Sequence, residues 1–98
     1  MNQYMVSIHL PDVIDSHFMA VVEKQSDMMN DLLWLGVFIS YAVSEDSMTA
    51  WIIVRAESKE ETGIIIDSLP IRKFVSYDID ELLFSATTAF EVPASSLN

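Results

Sequence analysis

Cysteine is absent from the 98 residues, and glycine and proline number only two and three. Without thiols the chain has no disulfide framework and no thiolate metal site, a composition compatible with a reducing cytoplasm, which is the expected location. Basic residues are also scarce: five Lys and Arg stand against 15 Asp and Glu, for a net charge of −10. That charge repels nucleic acid and anionic membranes and mostly serves solubility. The longest apolar run, 32–43, is interrupted only by Ser40. It falls short of the roughly 20 residues that a membrane span needs. No basic stretch followed by an apolar one opens the chain, so no signal peptide is expected. There is no phosphate-binding glycine loop and no Cys-x-x-Cys pair, and two distant histidines make no zinc site. No cofactor and no metal are expected. An RNA-recognition module would need a basic surface and a Lys/Arg-Gly-aromatic context on a middle strand, and neither is present.

Apolar residues, in contrast, make up 51% of the chain. A small monomer with one buried sheet face does not need so much apolar surface; burial of both faces does, which implies self-association. The richest segment is 37–56, two arms of Val, Ile, Phe, Tyr and Trp around the polar Ser44-Glu45-Asp46-Ser47. This reads as a β-hairpin. With Val43 opposite Met48, one face carries Val37, Ile39, Tyr41, Val43, Met48, Ala50, Ile52 and Val54. The other carries Phe38, Ser40, Ala42, Thr49, Trp51, Ile53 and Arg55. The first is a core face; the use of the second is the functional question.

The flanking segments complete a pattern. Tyr4, Val6, Ile8 and Leu10 alternate with Met5, Ser7 and His9, a strand that Pro11 ends. Asp12 or Asp15 can cap the helix that follows, whose stripe runs Ile14, Phe18, Val21, Gln25, Met28, Leu32 and Leu35, until Gly36 stops it. Gln25, the polar member of that stripe, is expected to reach a backbone group or a cavity edge. Ser58 and Glu61 have capping-box spacing and open a shorter helix through Leu69, closed by Pro70. Gly63 lets that helix lie close to the sheet. A last strand is expected over 74–84, with Arg72-Lys73 before it as a solvated turn. The order β-α-β-β-α-β is the split βαβ, or ferredoxin-like, α+β fold, a four-stranded antiparallel sheet with two helices on one face. Right-handed crossovers place the first and third strands centrally. Residues 1–84 form this domain, and 85–98 form a tail expected to pack on the domain or on a partner subunit. Two bare faces packed across a dyad would give a barrel-like homodimer with an interior cavity.

Leu69-Pro70-Ile71, Phe74 and the run Tyr77-Asp78-Ile79-Asp80-Glu81-Leu82 resemble the closing signature of muconolactone isomerases. Ile8-His9-Leu10-Pro11, Gly36 and the second helix fall at similar spacings, so the similarity extends over roughly 5–82. The resemblance implies a dimeric α+β barrel and a cofactor-independent isomerisation of a lactone. Two positions depart from the family pattern: His9 stands where a Lys is typical, and Ala42-Val43 where a Trp-Arg pair is typical.

Strand directions decide which polar groups meet on the open face. His9 should lie near Asp78, and Arg55, at the opposite end, near Asp80. A carboxylate beside an imidazole orients the ring for proton transfer, so His9 and Asp78 are the candidate catalytic residues. Arg55 can hold a carboxylate by two hydrogen bonds. Ser7, Ser40, Trp51 and Phe38 are the remaining candidate ligand contacts. Each has a plainer role as well: an interface histidine, a structural Arg55–Asp80 ion pair, and aromatic residues of a core or interface. Two functions follow: a proton-transfer enzyme acting on a small apolar carboxylate or lactone, and a non-catalytic module that binds a small apolar molecule or assembles.

Overall fold

The computed structural model describes residues 2–86. Strand β1 (Asn2–His9) leads to helix α1 (Ser16–Trp34), then to strands β2 (Phe38–Ser44) and β3 (Thr49–Ala56). Helix α2 (Lys59–Asp67), a 3-10 turn at Pro70–Phe74 and strand β4 (Ser76–Glu81) complete the order. The sheet runs β2-β3-β1-β4 with every neighbouring pair antiparallel. This is the ferredoxin-like α+β arrangement, with β1 and β3 at the centre. Among the described residues no helix is long and apolar enough to cross a membrane. Of the expected tail, 87–98 lies outside the described residues.

Local chemistry sets the element ends. The Asp15 carboxylate accepts from the backbone N–H of Phe18 at 2.9 Å, capping α1. Gly36 follows α1 with φ 78°, a left-handed conformation in which a side chain would be strained. Ser58 Oγ accepts from Glu61 N–H at 3.0 Å, and the Glu61 carboxylate accepts from the N–H of Glu57 at 2.6 Å. That is a capping box displaced by one residue at its outer end. A Cβ on Gly63 would stand 3.5 Å from the Tyr77 hydroxyl, so α2 does lie close on β4. The chain leaves β4 beside β1: Leu82 N–H donates to the Gln3 carbonyl at 2.9 Å, and the Ser85 hydroxyl donates to the Gln3 side chain.

One face of the sheet and the inner sides of both helices form the core. Tyr4, Val6 and Ile8 of β1 and Ile52, Val54 and Ala56 of β3 pack with Phe18 and Ile66. Burial of each large aliphatic or aromatic side chain here stabilises the fold by roughly 1.5–3 kcal/mol. The hairpin departs from the expected register. Val43 opposes Ala50, Tyr41 opposes Ile52, and the turn residues are 45–48, with Met48 at φ 49°. The shift is two residues, so these positions keep their face. Between Phe38 and Ser40 the ladder is irregular. A bulge of one residue there inverts the parity of the strand's start. Phe38 therefore opposes Val54 on the helix side, 1% exposed, rather than on the open face.

Candidate functional site

The opposite face of the sheet presents Met5, Ser7 and His9 from β1, Thr49, Trp51 and Ile53 from β3, Ser40 from β2, and Asp78 from β4. No described helix covers it. In the ladder Ser7 stands between Trp51 and Asp78, and His9 between Thr49 and Ser76. Asp78 thus reaches His9 diagonally across the β1–β4 pair. Its Oδ2 lies 2.9 Å from His9 Nε2. This is the pairing expected from strand direction, and it leaves Nδ1 without a hydrogen bond among the described residues. The two side chains are 48% and 76% exposed, so in one protomer water reaches both.

Ser7, Ser40 and Trp51 sit on this face as expected, all half-buried. One expected member, Phe38, does not, and Arg55 shares the face but stands far from the pair. Phe38 is a core residue, turned inward by the bulge. Arg55 opposes Gln3 at the far end of the sheet, and its guanidinium lies beside Gly36, with Nη1 3.6 Å from where a glycine Cβ would project. Asp80 opposes Met5, so the β1 strand lies between it and β3, and Arg55 reaches towards β2 instead. No Arg55–Asp80 ion pair forms among the described residues. His9 and Arg55 are separated by six positions of β1, or about 20 Å at the usual strand rise. Within one protomer they cannot hold the same small molecule.

A second polar group, around Arg72, escaped the reading of that segment as a solvated turn. Arg72 Nε donates to Asp67 at 2.7 Å, Nη1 donates to the Val75 carbonyl at 2.8 Å, and the guanidinium lies 4.9 Å from the Tyr77 ring centre. The Tyr77 hydroxyl donates to the same Asp67 oxygen at 2.9 Å. Hydrogen bonds from Arg72 and then Tyr77 hold the Asp67 carboxyl below its usual range. Burial, followed by the bond to Asp67, pushes the Tyr77 hydroxyl up. This cluster ties α2, the 3-10 turn and β4 together. The five-residue separation of Asp67 and Arg72 around Leu69-Pro70 is the signal that could have revealed it.

An apolar cavity lies on the other side of the sheet. It occupies about 440 Å³ between α1 and the β2–β3 hairpin, bounded by Phe18, Val22 and Met29 on one side and Tyr41, Val43 and Ile52 on the other. Gln25 lines it as well. Its Oε1 accepts from the N–H of Ile71 at 3.1 Å, the backbone contact expected of the polar residue in the stripe.

No protein-family model matches this chain, and a search of curated proteins returns no match. Among the described residues no group of three His, Asp or Glu side chains stands close enough to hold a metal ion. On the open face His9 has one ring nitrogen on the Asp78 carboxylate and the other without a partner among the described residues.

Proposed function

We propose that the chain acts as a homodimer joined through its open sheet faces. The His9–Asp78 pair, enclosed there, would move a proton on a small apolar carboxylate or lactone without a cofactor. The observation that carries this reading is the 2.9 Å His9–Asp78 contact on a face whose apolar residues have no covering element among those described. The resemblance to muconolactone isomerases supports the same class of reaction. In the proposed step Nδ1 of His9 takes a proton from a carbon next to a carbonyl, the C–H electron pair passes into the conjugated system, and the imidazolium returns the proton at a second carbon. Asp78 holds Nε2–H and fixes the ring. Enclosure matters because a pair open to water gives its proton to water first. A carboxylate on the substrate could be held by Arg55 only across the dyad, since the two centres of one protomer are about 20 Å apart.

Large apolar residues outside the open face are exposed as well. Trp34 is 91% exposed and Leu83 97%, and both lie near the sheet end marked by the Phe38–Val54 and Tyr4–Glu81 pairs. Such residues find a use when a second copy covers them. Binding without catalysis is the second reading, favoured by the exposure of the pair in the protomer.

Deuterium exchange separates them. Unsaturated γ-lactones bearing a carboxylate, incubated with the protein in D2O, should gain deuterium at the carbon next to the carbonyl. His9→Ala should slow that exchange by about 100-fold or more, the usual contribution of a general base. Exchange unchanged by His9→Ala would leave the enzyme without its base and favour the binding reading.

A further inference from the structure

We propose that the cavity between α1 and the hairpin is a binding site, separate from the open face, for a neutral, mostly hydrocarbon molecule carrying one hydrogen-bond acceptor. Its size, about 440 Å³, falls in the range of small-molecule sites. Its walls are apolar side chains from both layers of the fold, among them Ile8, Phe18, Val22, Met29 and Ile52. The rim is apolar too: Ile14, Met19, Tyr41 and Val43 all remain exposed large side chains. A helix normally closes down on its sheet to bury such residues, whereas here both layers turn them towards an unfilled space.

The polar content of the cavity selects the ligand. Gln25 is 5% exposed, and its Oε1 is held by Ile71 N–H. Its amide nitrogen has no partner among the described residues, yet no buried side-chain polar atom is both sealed from solvent and unpartnered. The nitrogen, on a residue that lines the cavity, is therefore not sealed, and its two N–H groups have no acceptor among the described residues. A donor in an apolar pocket gains most from a carbonyl or ether oxygen that it alone can satisfy. A carboxylate head is disfavoured: no Lys, Arg or His lines the space, and Glu45 stands at its edge. An anion there would lose its hydration with no cation to replace it. Nothing in this site is shared with His9, Asp78 or Trp51, so it stands whether or not the open face is catalytic.

The uncharged fluorophore N-phenyl-1-naphthylamine tests the site on the full chain. Wild-type protein should enhance its fluorescence saturably, 2-decanone should displace it, and decanoate should need at least ten times the concentration to do so. Val22→Phe, which fills the cavity, should weaken probe binding at least tenfold. Ser26→Trp, made at an exposed rim position, should do the same if Val22→Phe does not fold. Gln25→Glu keeps an oxygen for Ile71 N–H and removes the free donor, so it should erase the preference for the ketone over an alkane of equal length. His9→Ala should bind the probe as wild type does. The proposal is overturned by absence of saturable binding, by equal binding in folded Val22→Phe or Ser26→Trp, by decanoate competing as well as 2-decanone, or by loss of binding in His9→Ala.

Discussion

His9 and Asp78 meet because one strand offset on an antiparallel pair brings diagonal side chains within reach, and the alternation of β1 and β4 put both on the same face. That contact was legible in the sequence, since it needs only strand order and direction. Gln25 was legible for a different reason: a polar residue in an otherwise apolar stripe must find a partner, and it holds Ile71 N–H. Gln25→Leu should therefore cost about 1–3 kcal/mol of unfolding free energy in a urea titration, because it leaves a buried N–H without an acceptor. Phe38 was not legible. A single-residue bulge inverts parity, and nothing in Val37-Phe38-Ile39, three apolar residues in a row, says which of them faces inward. Since Phe38 is core, Phe38→Ala should destabilise by about 3–5 kcal/mol. Were it an open-face residue instead, the same substitution would change association and leave protomer stability nearly intact.

At the scale of elements, boundaries follow from caps that the sequence announces. Asp15 and Ser58 each accept from a first-turn N–H, and replacing either by Ala should lower stability by about 1 kcal/mol, measured by denaturant midpoint. The Arg72 cluster is the element-scale feature that the sequence did not reveal, because it depends on how the 3-10 turn folds Arg72 back over Tyr77. Its pH behaviour has a definite sign. Asp67 titrates below its usual range when folded, so the unfolded chain binds its proton first as pH falls. The stabilisation it gives is present at neutral pH and is lost as pH drops through the depressed folded value. Asp67→Asn should thus lower the thermal midpoint at pH 7, and the gap to wild type should close in strong acid. A gap that persists at the lowest pH reached would assign the effect to packing rather than charge.

For the whole molecule, the order of elements pointed to the ferredoxin-like architecture, and the strand order β2-β3-β1-β4 agrees with it. The position of the cavity did not follow from pattern. Alternation tells which residues face the helices but not how closely α1 descends on them, and that distance decides whether Phe18, Met29 and Val43 touch or leave a space. The proposed proton transfer depends on a second copy covering the open face. With a net charge of −10 on each chain, such a dimer must hold against mutual repulsion, so added salt should tighten it by screening.

Sedimentation equilibrium on the wild type and on Trp51→Glu tests this most directly. Trp51 lies half-buried at the middle of the open face, where a carboxylate would be trapped without a partner in an apolar contact. At micromolar concentration the wild type should sediment at twice the 11.1 kDa of one chain, and the variant at 11.1 kDa with its secondary structure retained. A wild type that stays at 11.1 kDa, or a variant that remains dimeric, would contradict the account.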